Sequence, residues 1–436
     1  MRQEKNKIIM EANSLFSEKP QIYEGSAQYV NADLSYALPA TDVSMDKVPA
    51  RVPYFPITSL KEPYAPVEFL ITPDSYGYVD LKNTQLSILA RVVRQDGTFC
   101  DDTDVVAPCN LVFQHLFRHV EVYVNDTLVM DCPFYPTMAH ITRLLSCNPL
   151  GKENDLKAEY WYPDEQPEDF TVPAEGEPPN GFQRRLQYTH SSWQFALLEK
   201  LVGNVFTQGR LFPPTTEIRI ILRRNLPELC LDFAVDTKAP YVGCPYRINL
   251  DEAILYVSKK PVMNAVVKMH EELLNKGETL KFPMVEREIK TFSMPQGVTS
   301  FTADSLVLGR IPKIIVVGFL SQKGWLGSLS KSPFNYQSKQ ISEMMLTWSG
   351  DSMESRTVNY SFMSTVGNTV DSYLVALDTL RQTAANPDLG NGINRDNYSK
   401  GKETLNCIKI YSKFYFINDP NSYNFMFLCR QRTHSI

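Results

Sequence analysis

Six histidines, at positions 115, 119, 140, 190, 270 and 434, are the side chains best suited by type to metal or proton chemistry. His115 and His119 stand four apart in QHLFRH, a spacing that sets two imidazoles on one side of a helix, where they can share a metal ion. The HExxH glutamate of a zinc protease is missing, and HLFRH runs straight into a strand pattern, so a structural or surface role is favoured. His270 with Glu271 and Glu272 is a cluster of titratable groups, but glutamates on a solvated helical turn are far commoner than a site, and that reading is favoured. Arg219, Arg223 and Arg224 could face phosphate. They read better as the polar face of a strand or as ion pairs across a subunit boundary. Trp161, Trp325 and Tyr336 fall in loops, where aromatics either stack on sugars or anchor protein interfaces. The residues leave both open.

Other chemistries lack their residues. GNVFTQG (203–209) does not end in the Gly-Lys-Ser/Thr of a phosphate loop, and no GxSxG nucleophile turn occurs. Acidic residues between 153 and 177 are dispersed without the spacing of a calcium loop. No catalytic, cofactor-binding or metal-ligating residue is assigned, and no cofactor is expected. Eight cysteines, at 100, 109, 132, 147, 230, 244, 407 and 429, form no CxxC pair, so reduced structural thiols are expected. The triplets at Asn125, Asn359 and Asn397 match the glycosylation pattern by chance if the chain takes no secretory route. The first residues lack the apolar core of a signal peptide.

The elements that would carry these residues are mostly strands. The chain has 436 residues, enough for two or three domains, and 43% of them are hydrophobic, enough for a real core. With 44 basic and 49 acidic residues and no long basic block, extensive nucleic-acid contact is disfavoured. Twenty-two Tyr and 23 Phe favour strands, and 29 Pro punctuate long connections.

Residues 1–60 hold little periodicity and read as an arm or peripheral segment. VEFLI (67–71) is a strand. YGYVDLKNTQLSILARVV (76–93) has two apolar blocks around Lys82-Asn83, the second alternating at Leu86, Ile88, Ala90 and Val92. Val120, Val122 and Val124 lead to a hairpin turn at Asn125-Asp126. YPTMAHITRLLSCNPLG (135–151) predicts one short helix, with Met138, Ile141, Leu144 and Leu145 at helical spacing, Pro136 near its start and Pro149 and Gly151 beyond its end. Residues 152–185 read as a long solvent-facing loop. Ile218, Ile220 and Leu222 alternate with Arg219, Ile221 and Arg223 in a strand. A composition shift at YVGCPYRIN (241–249) suggests a domain boundary.

Beyond it, strands are expected in 252–262, 286–297, 301–309, 312–320, 341–353, 407–418 and 423–429. Short helices are expected in 269–280 and 372–384. Ile314–Leu320 is a seven-residue apolar run, too short to span a membrane and suited to a strand between two packed layers or one covered on both faces. Many strands without regular β–α alternation argue for sandwiches in tandem.

Five segments occur together in a telling order: FLITPDSYGYVDLKNTQLSILARVV (69–93), APCNLVFQHLFRHVEVYVNDTLV (107–129), FYPTMAHITRLLS (134–146), GNVFTQGRLFPPTTEIRIILRRN (203–225) and LGRIPKIIVVGFLSQKGWLGSLSKSPFNYQ (308–337). Across roughly residues 65–350 they resemble the major capsid proteins of Polinton/Maverick elements and adintovirus-like relatives, which are structurally akin to adenovirus hexon. The resemblance implies an all-β fold of two tandem eight-stranded jelly rolls with long loops and a few short helices. Residues 1–60 would form an arm, 61–243 the first roll, and 244–436 the second roll and C-terminal segment.

It further implies a capsid protein of the virion, not an enzyme. Three copies would form a homotrimer, a pseudo-hexagonal capsomer that tiles an icosahedral shell. Partners would be neighbouring capsomers, a separate vertex (penton) protein and an internal minor capsid protein, without sequence-specific nucleic acid. A minor or spike-like virion protein binding a receptor or glycan, and a glycan-active enzyme on a β-sandwich, are the rival readings.

Overall fold

A computed structural model describes residues 49–74, 77–147, 151, 154–162, 164, 170–174, 176–233, 243–295, 297–298, 300–303, 314–327, 331–337, 343–347, 358–359, 405–409, 414–417 and 423–435. The strands of the first half are β1 (Ala50–Tyr54), β2 (Val67–Ile71), β3 (Tyr78–Arg94), β4 (Val106–Pro108), β5 (Phe117–Val124), β6 (Thr127–Cys132), β7 (Phe195–Glu199), β8 (Ile218–Arg224), β9 (Leu231–Phe233) and β10 (Tyr246–Lys260). Those of the second half are β11 (Lys281–Phe292), β12 (Ser300–Phe301), β13 (Ile314–Leu320), β14 (Glu343–Thr347), β15 (Val358–Asn359), β16 (Leu405–Lys409), β17 (Phe414–Ile417) and β18 (Tyr423–Ser435).

The first half builds two antiparallel four-stranded sheets, in the orders β1-β10-β3-β7 and β2-β8-β5-β6. The short pair β4–β9 forms a separate two-stranded sheet. With that pair set aside, the first strand lies beside the eighth, the second beside the seventh, the third beside the sixth and the fourth beside the fifth. Such a ribbon, rolled until its eighth strand meets its third and its seventh meets its fourth, is a jelly roll.

The second half repeats the order. Its sheets run β11-β18-β13-β16 and β12-β17-β14-β15, which is again first-eighth-third-sixth and second-seventh-fourth-fifth. The chain is therefore a double jelly roll, as the resemblance implies.

Period-two patterning selects the inner faces. Val67, Phe69 and Ile71 of β2, Leu86, Ile88, Ala90 and Val92 of β3, and Ile218, Ile220 and Leu222 of β8 are buried, while Arg219 and Arg223 point to solvent. A slip of one residue would exchange the faces, so this pattern fixes register. At the β5–β6 turn Asn125 and Asp126 both take positive φ, 46° and 62°. This handedness matches the strand twist in tight hairpins. All seven residues of β13 are buried, and β13 pairs with both β16 and β18. The apolar run is thus an inner strand covered on both faces.

Helices are short: α1 (Val112–His115), α2 (Tyr135–Ser146), α3 (Gly181–Thr189), α4 (Asn204–Thr207), α5 (Asn264–Asn275) and α6 (Gln322–Trp325). The short helix expected within 135–151 is α2. The one expected from 269 is α5, which begins five residues earlier and ends before Gly277, whose φ of +83° suits a helix stop.

Several expectations are corrected. The blocks flanking Lys82-Asn83 form one 17-residue strand, β3. Residues 50–54, placed in the arm, form β1 and pair with β10. A domain boundary between 243 and 244 would separate β10 from β1 and β3, the strands that hydrogen-bond it on either side. Residues 152–185 are not simply a solvent-facing loop. Leu156, Glu159, Trp161, Phe182 and Arg185 are buried, because the segment folds back over α1 and the β4–β9 pair. Asn180 caps α3 by accepting a hydrogen bond from Gln183 N at 2.8 Å. The helix expected at 372–384 and most of the arm lie outside the described residues.

Candidate functional site

The segment that follows β13 leaves the second roll and docks on the first. Ser321 caps α6 by accepting from Gly324 N at 3.1 Å. Gly324 has no room for a side chain, since a Cβ there would sit 2.7 Å from the Ser332 carbonyl oxygen. Gly327, at φ +90°, turns the chain beside Glu228 and Leu229 of the first roll. The Trp325 ring meets Phe134, at the start of α2, with centroids 5.6 Å apart.

Pro333, Phe334 and Tyr336 then enter the first roll. The Phe334 ring stacks on His115 (centroids 3.6 Å apart, planes 6° apart) and on His140 (4.7 Å, 14°). Tyr336 is 1% exposed and lies 5.9 Å from the His140 ring. Trp161 closes the cluster against His140 edge-on, at 6.0 Å.

His115, on α1, and His140, on α2, are both buried. Cys109 Sγ lies 3.1 Å from His115 Nδ1, and His115 Nε2 lies 3.1 Å from His140 Nδ1. This chain is satisfied in its neutral form: the thiol donates to Nδ1, and the Nε2 hydrogen is donated to the next ring. Burial, reinforced by His140, holds the His115 pKa well below the usual histidine value. Burial pushes the Cys109 thiol well up, so it stays protonated.

Two buried ionic hubs flank the joint. Glu159, 1% exposed, pairs with Arg143 of α2 and accepts from Gln114 Nε2 at 3.1 Å. Arg143 also reaches Glu199 of β7 at 2.7 Å. Tyr135 donates to Gln114 Oε1 (2.6 Å) and accepts from Val202 N (3.1 Å). Burial outweighs Arg143 and raises Glu159 to about 7.

The second hub is Arg185 of α3, fully buried. It donates to Pro108 O (2.8 Å), Asn110 Oδ1 (3.0 Å), Tyr162 O (3.1 Å) and Asp232 Oδ2 (3.1 Å), and also pairs with Asp164. One guanidinium thus ties α3 to both strands of the β4–β9 pair and to the 160–164 segment. Burial raises Asp232 to about 6 despite this partner.

The structure separates the residues that the sequence grouped. His115 is in the core, whereas His119 lies on β5, 2.6 Å from Asp131. His270 sits on α5, where no residue is buried, and its Nδ1 is 2.8 Å from the Tyr78 hydroxyl. Arg219 pairs with Glu68 and Arg223 with Glu121, both within one sheet, while Arg224 turns inward and donates to Ile248 O. Trp161 and Tyr336 are buried and present no sugar-stacking face. Among the described residues no group of three or more His, Cys, Asp and Glu is placed to hold a metal ion, and Cys100, Cys109, Cys132, Cys147, Cys230 and Cys244 are free thiols.

Sequence reasoning missed Phe334 and Arg185. The Pro-Phe pair within the family-like stretch carried a faint signal for Phe334. Nothing near Arg185 in sequence marks it.

Two jelly rolls of identical strand order, in contact through the Phe334 loop and through Phe212 and Phe282, define the architecture. The fold is that of the double jelly-roll major capsid proteins. A chain of the Sputnik virophage structure aligns with a TM-score of 0.62 at 11% identity, covering 96% of this chain and 92% of that one. The mavirus major capsid protein aligns with a TM-score of 0.51 at 10% identity, covering 95% and 94%. The Faustovirus major capsid protein aligns at 0.50 and 10% identity, covering 99% and 97%. In sequence, an uncharacterised protein of Caenorhabditis elegans is 19% identical over 330 residues, 74% of each chain. No family model matches.

Proposed function

We propose that this chain is a major capsid protein of the virion shell, acting as a homotrimeric pseudo-hexagonal capsomer. The observation that carries the reading is the exact repetition of one eight-strand order within a single chain, in a fold that aligns over nearly the full length of viral major capsid proteins. Three copies of two like rolls supply six similar walls, which is what a ring needs to tile a flat facet. The strand pairing supports roll limits of 50–260 and 281–435. Neighbouring capsomers, a vertex protein and an internal minor protein are the partners that a closed shell of such rings requires. An enzymatic role has no constellation to support it among the described residues.

Copy number tests this reading. In particles purified from cells producing the chain, quantitative mass spectrometry should find it the most abundant shell component. A few copies per particle would overturn the reading and favour a minor or spike-like protein.

A further inference from the structure

Arg224 ends β8, and Arg247 is the second residue of β10. Both line one small pocket with Pro63, Tyr64, Leu116 and Asn225. Its volume, about 10 Å³, holds roughly one water-sized sphere. Among the described residues lining it there is no carboxylate.

The donors there are incompletely used. Arg224 is 8% exposed, and its Nη2 donates to Ile248 O at 2.6 Å. Its Nη1 is buried without a hydrogen-bond partner, and so is Nε of Arg247. Asn225 does not serve them: its Oδ1 accepts from Leu226 N and its Nδ2 donates to His115 O. Tyr64 accepts from Gln95 Nε2 at 3.2 Å, which leaves its own hydrogen to donate.

Buried polar atoms without partners are rare in native proteins, and an unseen ion or water commonly explains them. Charge decides between the two here. A water satisfies donors but leaves two cations lining one pocket without a counter-charge. Burial together with the repulsion from Arg247 outweighs the nearby Cys230 thiol and depresses Arg224 to about 10, as expected of a cation lacking its counter-charge.

We infer that this pocket binds one small monovalent anion of chloride size, held between Arg224 and Arg247. The anion would tie the end of β8 to the start of β10 and to the Pro63–Tyr64 turn, three segments of the first roll. The site lies within that roll and stands whether or not the chain builds a shell.

Two measurements on the full chain test it. Thermal unfolding at fixed pH and ionic strength, with chloride or bromide replacing gluconate, should show a saturable rise in Tm of about 1–3 °C. Arg247→Gln should abolish the saturable part. Crystals of the unaltered chain grown in bromide should show an anomalous peak between the two guanidiniums, a result independent of how the variant folds. No saturable halide effect with no bromide peak would overturn the inference, and so would a neighbouring copy's carboxylate filling the pocket.

Discussion

His115 is a titratable ring that the fold keeps neutral between Cys109, His140 and Phe334. Its folded pKa is depressed, so its contribution is present above the unfolded value of about 6.5 and is lost as pH falls below it. The raised carboxyls of Glu159 and Asp232 run the other way, losing their contribution as pH rises through about 7 and about 6. A variant comparison cancels those two. The stability advantage of the unaltered chain over His115→Asn should shrink between pH 7 and pH 5, read by urea denaturation; a constant advantage would contradict the neutral-ring account.

Phe334→Ala should cost about 1–3 kcal/mol and expose residues 321–337 to limited proteolysis, since the ring holds that loop on the first roll. Arg185→Met should cost about 3–5 kcal/mol by leaving Asp232 buried without its cation, measured by the same denaturation. The sequence could not show this hub. Arg185 reaches partners 77, 75, 23 and 47 residues away, beyond any local pattern.

Single elements were the most legible level. VEFLI is β2 to the residue, and the hairpin at Asn125-Asp126 takes the handedness its residues favour. Both are decided locally, by alternation and by side chains that tolerate positive φ. The start of β10 was missed because YVGCPYRIN looks like a break, whereas Tyr246 onward pairs with β3, more than 150 residues earlier. The helix α3 was hidden by its Pro- and Glu-rich approach.

The limit of the first roll can be tested at Gly77. A Cβ there would lie 2.5 Å from the Lys260 carbonyl oxygen, at the end of β10. Gly77→Ala should therefore push the ends of β3 and β10 apart and destabilise the protein by about 1–3 kcal/mol. A neutral result in thermal unfolding would contradict the close approach that closes the first roll at Lys260.

At the scale of the molecule, the sequence yielded an all-β tandem sandwich from composition and spacing, and the double jelly roll only through the order of five family-like segments. Strand order is a long-range property: the eighth strand of each roll returns beside the first after most of the roll has been built. The joint through Phe334 gives the two rolls a mutual contact within one chain. The proposed ring of six similar walls would need such a joint, because a loose one would blur its pseudo-hexagonal outline.

That outline is the most direct test of the account. Electron microscopy of the purified chain should show particles of three times the 49.7 kDa chain mass with six lobes around a threefold axis. A trimer with a narrow three-lobed outline would contradict the capsomer and point to a spike.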